Sequence, residues 1–402
     1  MFRIRQDCAT EWLETAPNSG REELNPRAIL KYCESRQDAL VECLRKAVEI
    51  ESPTQSKAGV DRLGRFFAAE LRRLKGKVRI LRHPKAGSAL WAEFWGGRGN
   101  QKPILILGHL DTVWDVGTLA RMPFQIRHGR AYGPGIFDMK SGIVCALGAI
   151  RALQAQGVKP RSPVRLFLNS DEETSSIAFR DRLRAEALKA RAVLVLEPAA
   201  PGGALKTARK GVGEFRITVH GRSAHAGLNP EGGVNAINEL ARQLLRVEEF
   251  ARSRRGLTLN VGVIQGGTRP NVVPETASAS IDVRIPRLKD RKVIERKVYG
   301  LKPIHPEARL VIEGGINRPP MERAMALGLF RRARGLGREL GMDLTETSVG
   351  GGSDGNFTAA LGIPTLDGLG GVGDGAHARH EHVIIRELPR RAALLAALLA
   401  TL

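Results

Sequence analysis

Cysteine is scarce in this chain: four among 402 residues (Cys8, Cys33, Cys43 and Cys145), none in a CxxC pair. That excludes a disulfide scaffold and a thiolate metal site, and it sets an expectation of reduced, intracellular thiols. No apolar run is long enough to cross a membrane. The first eight residues lack the apolar core of a signal peptide, and Glu11 and Glu14 follow, so a cytoplasmic location is expected. Aromatics are few as well, with three Tyr and four Trp, which leaves little for stacking on nucleic-acid bases. Repeats and low-complexity tracts are missing.

Acidic residues are also outnumbered, 42 against 63 basic, for a net charge of +21. A large positive charge invites a nucleic-acid reading. The cations are scattered through amphipathic segments and form no block, so a solvated basic surface with no specific nucleic-acid partner is expected. Arginine outnumbers lysine about threefold, and arginine is the residue suited to gripping carboxylates.

What is present is an α/β pattern. A length of 402 residues sets two domains as the expectation. Residues 1–30 show no clear periodicity, and 1–35 are read as an extension of unknown purpose. Amphipathic helices are predicted near 36–49 and 57–75, and a strand near 88–95. Then apolar runs at 103–107, 164–168 and 192–196 alternate with helices at about 141–157 and 176–189. Such alternation predicts a largely parallel sheet covered on both faces, with ligands beyond the carboxyl ends of its strands. From about 210 the texture changes to strands of period two, near 214–220, 257–264, 276–285 and 308–313, with one long helix at 233–252. Residues 210–320 are therefore expected to be an inserted α+β domain. Segments 1–209 and 321–402 would together form the main one.

Three carboxylate-bearing motifs fall at strand ends. GHLDTV at 108–113 offers His109 and Asp111, and the turn at 137–142 offers Asp138. Glu172 and Glu173 close the strand at 164–168, where adjacent carboxylates repel unless a cation balances them. Glu197 ends the next strand. Near the C-terminus His377, His380 and His382 crowd a glycine-rich loop. Imidazoles and carboxylates are the ligand types favoured by zinc and its neighbours.

These stretches, with GRSAHAGLNPEGGVNAI (221–237), RPNVVPETASASIDVR (269–284), GGGSDGNF (350–357) and HARHEHV (377–383), resemble the M20 family of metallopeptidases, in particular its glutamate carboxypeptidase branch. The resemblance spans about 100–402. It implies a mostly parallel-sheet zinc-peptidase catalytic domain with an inserted lid and dimerisation domain, and a site for two zinc ions, with cobalt or manganese as possible substitutes. His109 and Glu197 would hold one ion, Glu173 and His377 the other, and Asp138 would bridge them. The choice of His377 rests on the family spacing, a His four residues before a Glu, here Glu381. Asp111 would accept the second ring N–H of His109, and Glu172 would be the general base. His225 would reach across from a partner subunit to the oxyanion, so a homodimer is expected.

The resemblance further implies that Arg284, helped by Asn271, binds the substrate's terminal carboxylate. A surface salt bridge is the competing reading for Arg284. Gly351, Gly352 and Ser353 would line the pocket, and Arg318 is a weaker candidate for a second carboxylate. Ser175 departs from the family, which often has Gly there. The expected activity is hydrolysis of an amide beside a free carboxylate in a small peptide or N-acyl amino acid, releasing C-terminal glutamate or a similar residue. The alternative is an N-acyl amino-acid deacylase resembling acetylornithine deacetylase. An aminopeptidase of related fold is disfavoured by the inserted domain. In another class stands a basic nucleic-acid or anion-binding protein with a relic site.

Overall fold

The computed structural model describes residues 25–96, 101–252 and 254–402. Its centre is a six-stranded sheet in the order Lys77–Leu81, Ala89–Phe94, Val164–Asn169, Ile104–His109, Ala192–Val195, Thr365–Leu366. The last four strands run parallel, and Ala89–Phe94 runs antiparallel to both of its neighbours. Alternate residues of each strand enter different cores, as the pleat requires. Ile104, Ile106, Leu166 and Leu194 join the larger cluster, while Leu105, Leu107, Phe167 and Val193 join a smaller one on the opposite face. Both faces are thus dry, which explains why these strands read as apolar runs without alternation. The helix Ser141–Ala155 is buried along most of its length, and Glu387–Thr401 packs beside it with Leu394, Leu395 and Leu398 inaccessible to solvent.

Residues 25–35 correct the sequence reading. Pro26–Glu34 is a helix whose Asn25 side chain accepts the Ala28 N–H at 3.1 Å, with Pro26 in the first turn. It buries Ile29 and Cys33 against the C-terminal helix. An Asn followed by Pro is a helix-start signal, and it stands inside the stretch taken as aperiodic. The rest of the supposed extension, and Cys8, lie outside the described residues.

Residues 211–318 build a separate four-stranded antiparallel sheet in the order Thr258–Gly266, Thr276–Ile285, Gly211–His220, Arg309–Arg318. Its core is its own, centred on Phe215, Ile217, Val219, Ile281 and Val283. Two helices supply the cover, Ala236–Arg252 and Leu288–Tyr299. Only the first was expected. The second buries only Asp290, Ile294 and Val298 amid charged residues, so its apolar periodicity is faint.

Two smaller sheets place the remaining loops. Leu205–Arg209 pairs in parallel with Glu346–Val349. A four-stranded patch joins Arg130–Tyr132 to His382–Ile384, which brings the 377 loop over the loop that carries Asp138.

Candidate metal centre

His109 is the last residue of its strand, and Glu172 and Glu197 follow theirs closely. Parallel strands end together, so residues far apart in sequence arrive at one edge. His109 Nε2 lies 3.2 Å from Asp138 Oδ1 and 3.7 Å from Glu197 Oε1. His377 Nε2 lies 3.4 Å from Asp138 Oδ2 and 3.3 Å from Glu173 Oε1. Asp138 therefore faces both imidazoles, one oxygen to each. Among the described residues, His109 with Glu172 and Glu197, and His109 with Asp138 and Glu173, form groups whose ligand atoms all lie within 4.8 Å of one another.

Charge makes this cluster uneasy without a cation. Burial pushes the Glu173 carboxyl up to about 7 and the Glu197 carboxyl up to about 8, with the Asp138 charge adding to both. The Asp138 and Glu173 carboxylates beside its ring push His377 up to about 10. Burial opposes the charged form of His109, yet the contacts with Asp111 and Asp138 still raise its pKa. Asp138 is held low, against burial, by the two imidazoles. Glu173 Oε1 is buried and, although His377 Nε2 lies 3.3 Å away, makes no well-aligned hydrogen bond, and such an atom ordinarily costs stability. Oxygen and nitrogen donors on both sides of a shared carboxylate, one oxygen without a hydrogen bond, fit divalent-metal binding.

Asp111 requires a correction. The Nδ1 of His109 meets the backbone carbonyl of Asp111 at 2.9 Å, whereas the nearer carboxylate oxygen is 3.5 Å away. The carboxylate is engaged elsewhere: it accepts the N–H groups of Glu172 and Glu173 at 3.1 and 3.2 Å and the Thr54 hydroxyl at 2.7 Å. Asp111 thus locks the Glu172–Thr174 turn to the His109 strand. The ring orientation it was expected to fix is set by its main chain, a common outer partner for a ligating histidine.

Glu381 was noted only as a spacing marker, and the structure gives it a function. Its two oxygens accept N–H groups from Gly135, Phe137 and Asp138 at 2.9, 2.9 and 3.0 Å and from the Trp114 indole at 2.7 Å. It shapes the turn that aims Asp138. Of the three loop histidines, His377 is the one within reach of Asp138 and Glu173, and it adopts a left-handed φ of 62°. His382 turns its ring to Tyr132 at 5.2 Å.

Two further expectations change. Ser353 is fully buried and donates its hydroxyl to Asp367 at 2.6 Å, so its side chain braces the interior and does not line a pocket. Gly352 is half-buried and Gly351 exposed. Arg318 was considered for a substrate carboxylate, but it is buried and ion-paired with Glu172, stacked 5.1 Å over Phe357. A second buried arginine went unnoticed in the sequence: Arg209 donates to Glu197 Oε2 at 3.0 Å. A single arginine in a strand announces no partner. Only the arrival of Glu197 and Asp367 from elsewhere gives it one.

The four-stranded unit holds the other predicted residues. His225 is exposed, and its Nδ1 accepts the N–H groups of Gly227 and Leu228 at 3.1 and 3.2 Å. With Nδ1 accepting, the ring proton sits on Nε2. Asn271 is exposed beside it, its carbonyl taking the Ala226 N–H at 3.0 Å. Arg284 lies on an interior strand and pairs with Asp282 through Nε and Nη2 at 2.8 and 2.9 Å, leaving the Nη1 side of the fork as the second edge.

Comparison with known proteins agrees with this architecture. Residues 105–401 match peptidase family M20/M25/M40. Carboxypeptidase G2 of Pseudomonas sp. (strain RS-16) is 32% identical over 385 residues, covering 93% of this chain and 92% of that protein. Succinyl-diaminopimelate desuccinylase of Dechloromonas aromatica (strain RCB) is 28% identical, covering 77% and 86% respectively. Among solved structures, aminopeptidase PepT from Bacillus cereus ATCC 10987 superimposes with a TM-score of 0.77 at 21% identity, over 90% of this chain and 98% of that one.

Proposed function

The chain belongs to peptidase family M20/M25/M40 and is a hydrolase, and from that premise we propose a two-metal carboxypeptidase that releases a C-terminal amino acid such as glutamate. The observation that carries this reading is the meeting of His109, Asp138, Glu173 and Glu197 around a buried carboxylate oxygen without a hydrogen bond, closed from the solvent side by the exposed His377, with Glu172 beside them.

His109 and Glu197 would hold one divalent ion and Glu173 and His377 the other, with Asp138 between them. The ions would be zinc, or cobalt or manganese in its place. When bound they would polarise the amide carbonyl and lower the pKa of a water toward about 7. Glu172 would take the proton from the attacking water and pass it to the departing amine nitrogen. It must first leave Arg318, its partner in the resting chain.

We assign residues 210–320 as lid and dimerisation domain. The edge strand Thr258–Gly266 supports this, since its Val263 and Ile264 are 54% and 59% exposed. An open apolar edge of this kind invites pairing with a second copy. Across such a dimer, His225 would offer its Nε2–H to the developing oxyanion. Asn271 lies near enough to assist, and Arg284 would present its free edge to the substrate carboxylate. A second reading, N-acyl amino-acid deacylase, is favoured by the desuccinylase likeness over 77% of the chain. All six predicted ligand and base residues stand together, which a relic site would not retain.

The test is hydrolysis of a panel of glutamyl-terminated peptides, folates and N-acyl amino acids by wild type and Glu172→Ala, with metal content measured on both. The variant is expected to keep its metal and lose about 10³-fold or more in kcat. Equal activity would remove Glu172 from the chemistry. Deacylation without peptide cleavage would replace the carboxypeptidase by the deacylase.

A further inference from the structure

The main chain crosses into the four-stranded unit immediately after Arg209 and returns just before Met321. At that point the two crossings are pinned together. Arg209 N–H donates to the Met321 carbonyl and Met321 N–H to the Arg209 carbonyl, both at 3.0 Å. The Arg209 side chain turns inward and is 4% exposed.

A guanidinium has five N–H donors, and here each has an acceptor. Nε and Nη2 grip Asp367 at 2.7 and 3.0 Å. The second Nη2 proton goes to Glu197 Oε2 at 3.0 Å. Nη1 donates to the carbonyls of Gly351 and Gly352, both at 3.2 Å. Asp367 is held in turn by the Ser353 hydroxyl. With every donor engaged, this arginine has one orientation and no capacity for a ligand. Its contact with Glu197 leaves that carboxylate only one oxygen, Oε1, turned toward His109.

We infer that Arg209 is a positioning residue: it restricts Glu197 to one-oxygen ligation and ties that ligand to the glycine loop and to the crossing between the two units. The inference rests on the reading of Glu197 as a metal ligand. Charge alone does not perform this task. A lysine would keep the charge, but its three donors diverge from one atom and cannot span Asp367, Glu197 and two carbonyls.

The test compares wild type with Arg209→Lys and with the double variant Arg209→Met/Asp367→Asn. The double variant removes both members of the Arg209–Asp367 pair, and the one carboxylate it leaves without its arginine, Glu197, is the one the added Co²⁺ would neutralise. Each protein, folded by circular dichroism and loaded with two equivalents of Co²⁺, is read by its visible d–d absorption and by chelator competition. In both variants the freed Oε2 should enter the coordination sphere of one ion. Its bands should then weaken roughly twofold or more, as higher coordination numbers dictate, while the second ion, on Glu173 and His377, keeps its wild-type dissociation constant. Wild-type bands and affinities in either folded variant would overturn the inference, as would equal loss of both ions. A wild-type protein that takes up no metal would overturn the reading of the site itself, and this inference with it.

Discussion

The carboxyl end of the six-stranded sheet and the rim of the four-stranded sheet carry the same kinds of side chain in opposite conditions. At the first, histidine, carboxylate and arginine are closed on one another: His109 on Asp138, Glu197 on Arg209, Glu172 on Arg318. At the second, His225 and Asn271 stand exposed and Arg284 is paired, among the described residues, with its strand neighbour Asp282 alone. Burial is the physical difference. Charges taken out of water must find partners within the same fold, so a site built by one unit is complete in a single chain. Exposed groups carry no such debt, and a site that draws on a second copy can leave them waiting.

The sharpest way to break this contrast is at His225. Its replacement by Ala should lower kcat about 10²–10³-fold, the usual effect of losing one oxyanion donor. Metal content and thermal stability should not change, since among the described residues the exposed ring bonds only the N–H groups of Gly227 and Leu228. Mixing this variant with Glu172→Ala should recover activity, because in the proposed dimer a mixed pair would hold one intact composite site. If the mixture stays inactive while subunits demonstrably exchange, His225 acts within its own chain or not at all, and the contrast fails.

Removing metal probes the buried side. Glu173 and Glu197 are raised by burial from 4.5 to about 7 and about 8. The folded state therefore prefers their protonated forms. The penalty is absent below pH 4.5 and complete above about 8, so stability falls as pH rises through that window. His377, raised from 6.5 to about 10, acts in the same direction: its stabilisation is full below 6.5 and is lost toward 10. Asp138 is lowered and bears only on the acid limb. Chelated protein should accordingly lose stability steadily between pH 5 and 8, and metal-loaded protein should not. Melting temperatures against pH, with and without chelator, decide it. A flat chelated curve would mean that the cluster needs no cation to settle its charge.

How much could be read beforehand divides along the same line. The apolar runs ending in His109, Glu172 and Glu197 are local in sequence, and the sheet follows from them because dry strands leave a plain signature. The partners of those residues are not local. Arg209 and Asp367 are 158 residues apart, and nothing in either neighbourhood names the other. Ser353 was misread for the same reason, as a small polar residue beside glycines that turned out to be held by Asp367. The helix Leu288–Tyr299 escaped because charge hides its short apolar face, and Pro26–Glu34 because its Asn25 cap was passed over. Asp111 was placed correctly near His109, but whether its carboxylate or its carbonyl makes the contact depends on backbone geometry that no motif records.

Ser175 offers the smallest and most local test. It stands in the turn between Glu172 and the following helix with φ at 77°, and Ser176 follows at 56°. Side chains bearing a Cβ pay roughly 1–2 kcal/mol in this left-handed region, and glycine does not. The Ser175 backbone is used, its N–H reaching the Glu172 carbonyl at 2.9 Å and its carbonyl accepting from Arg180 at 2.6 Å. Ser175→Gly would keep both bonds and relieve the strain, while giving back about 0.5–1 kcal/mol of unfolded-state entropy. The net expectation is a gain of about 0.5 kcal/mol in denaturant melts, with metal content unchanged because Asp111, not Ser175, anchors the turn. A loss of stability would show that the turn is held by more than its backbone. A loss of metal would mean that this serine, on the edge of the buried cluster, helps to close it.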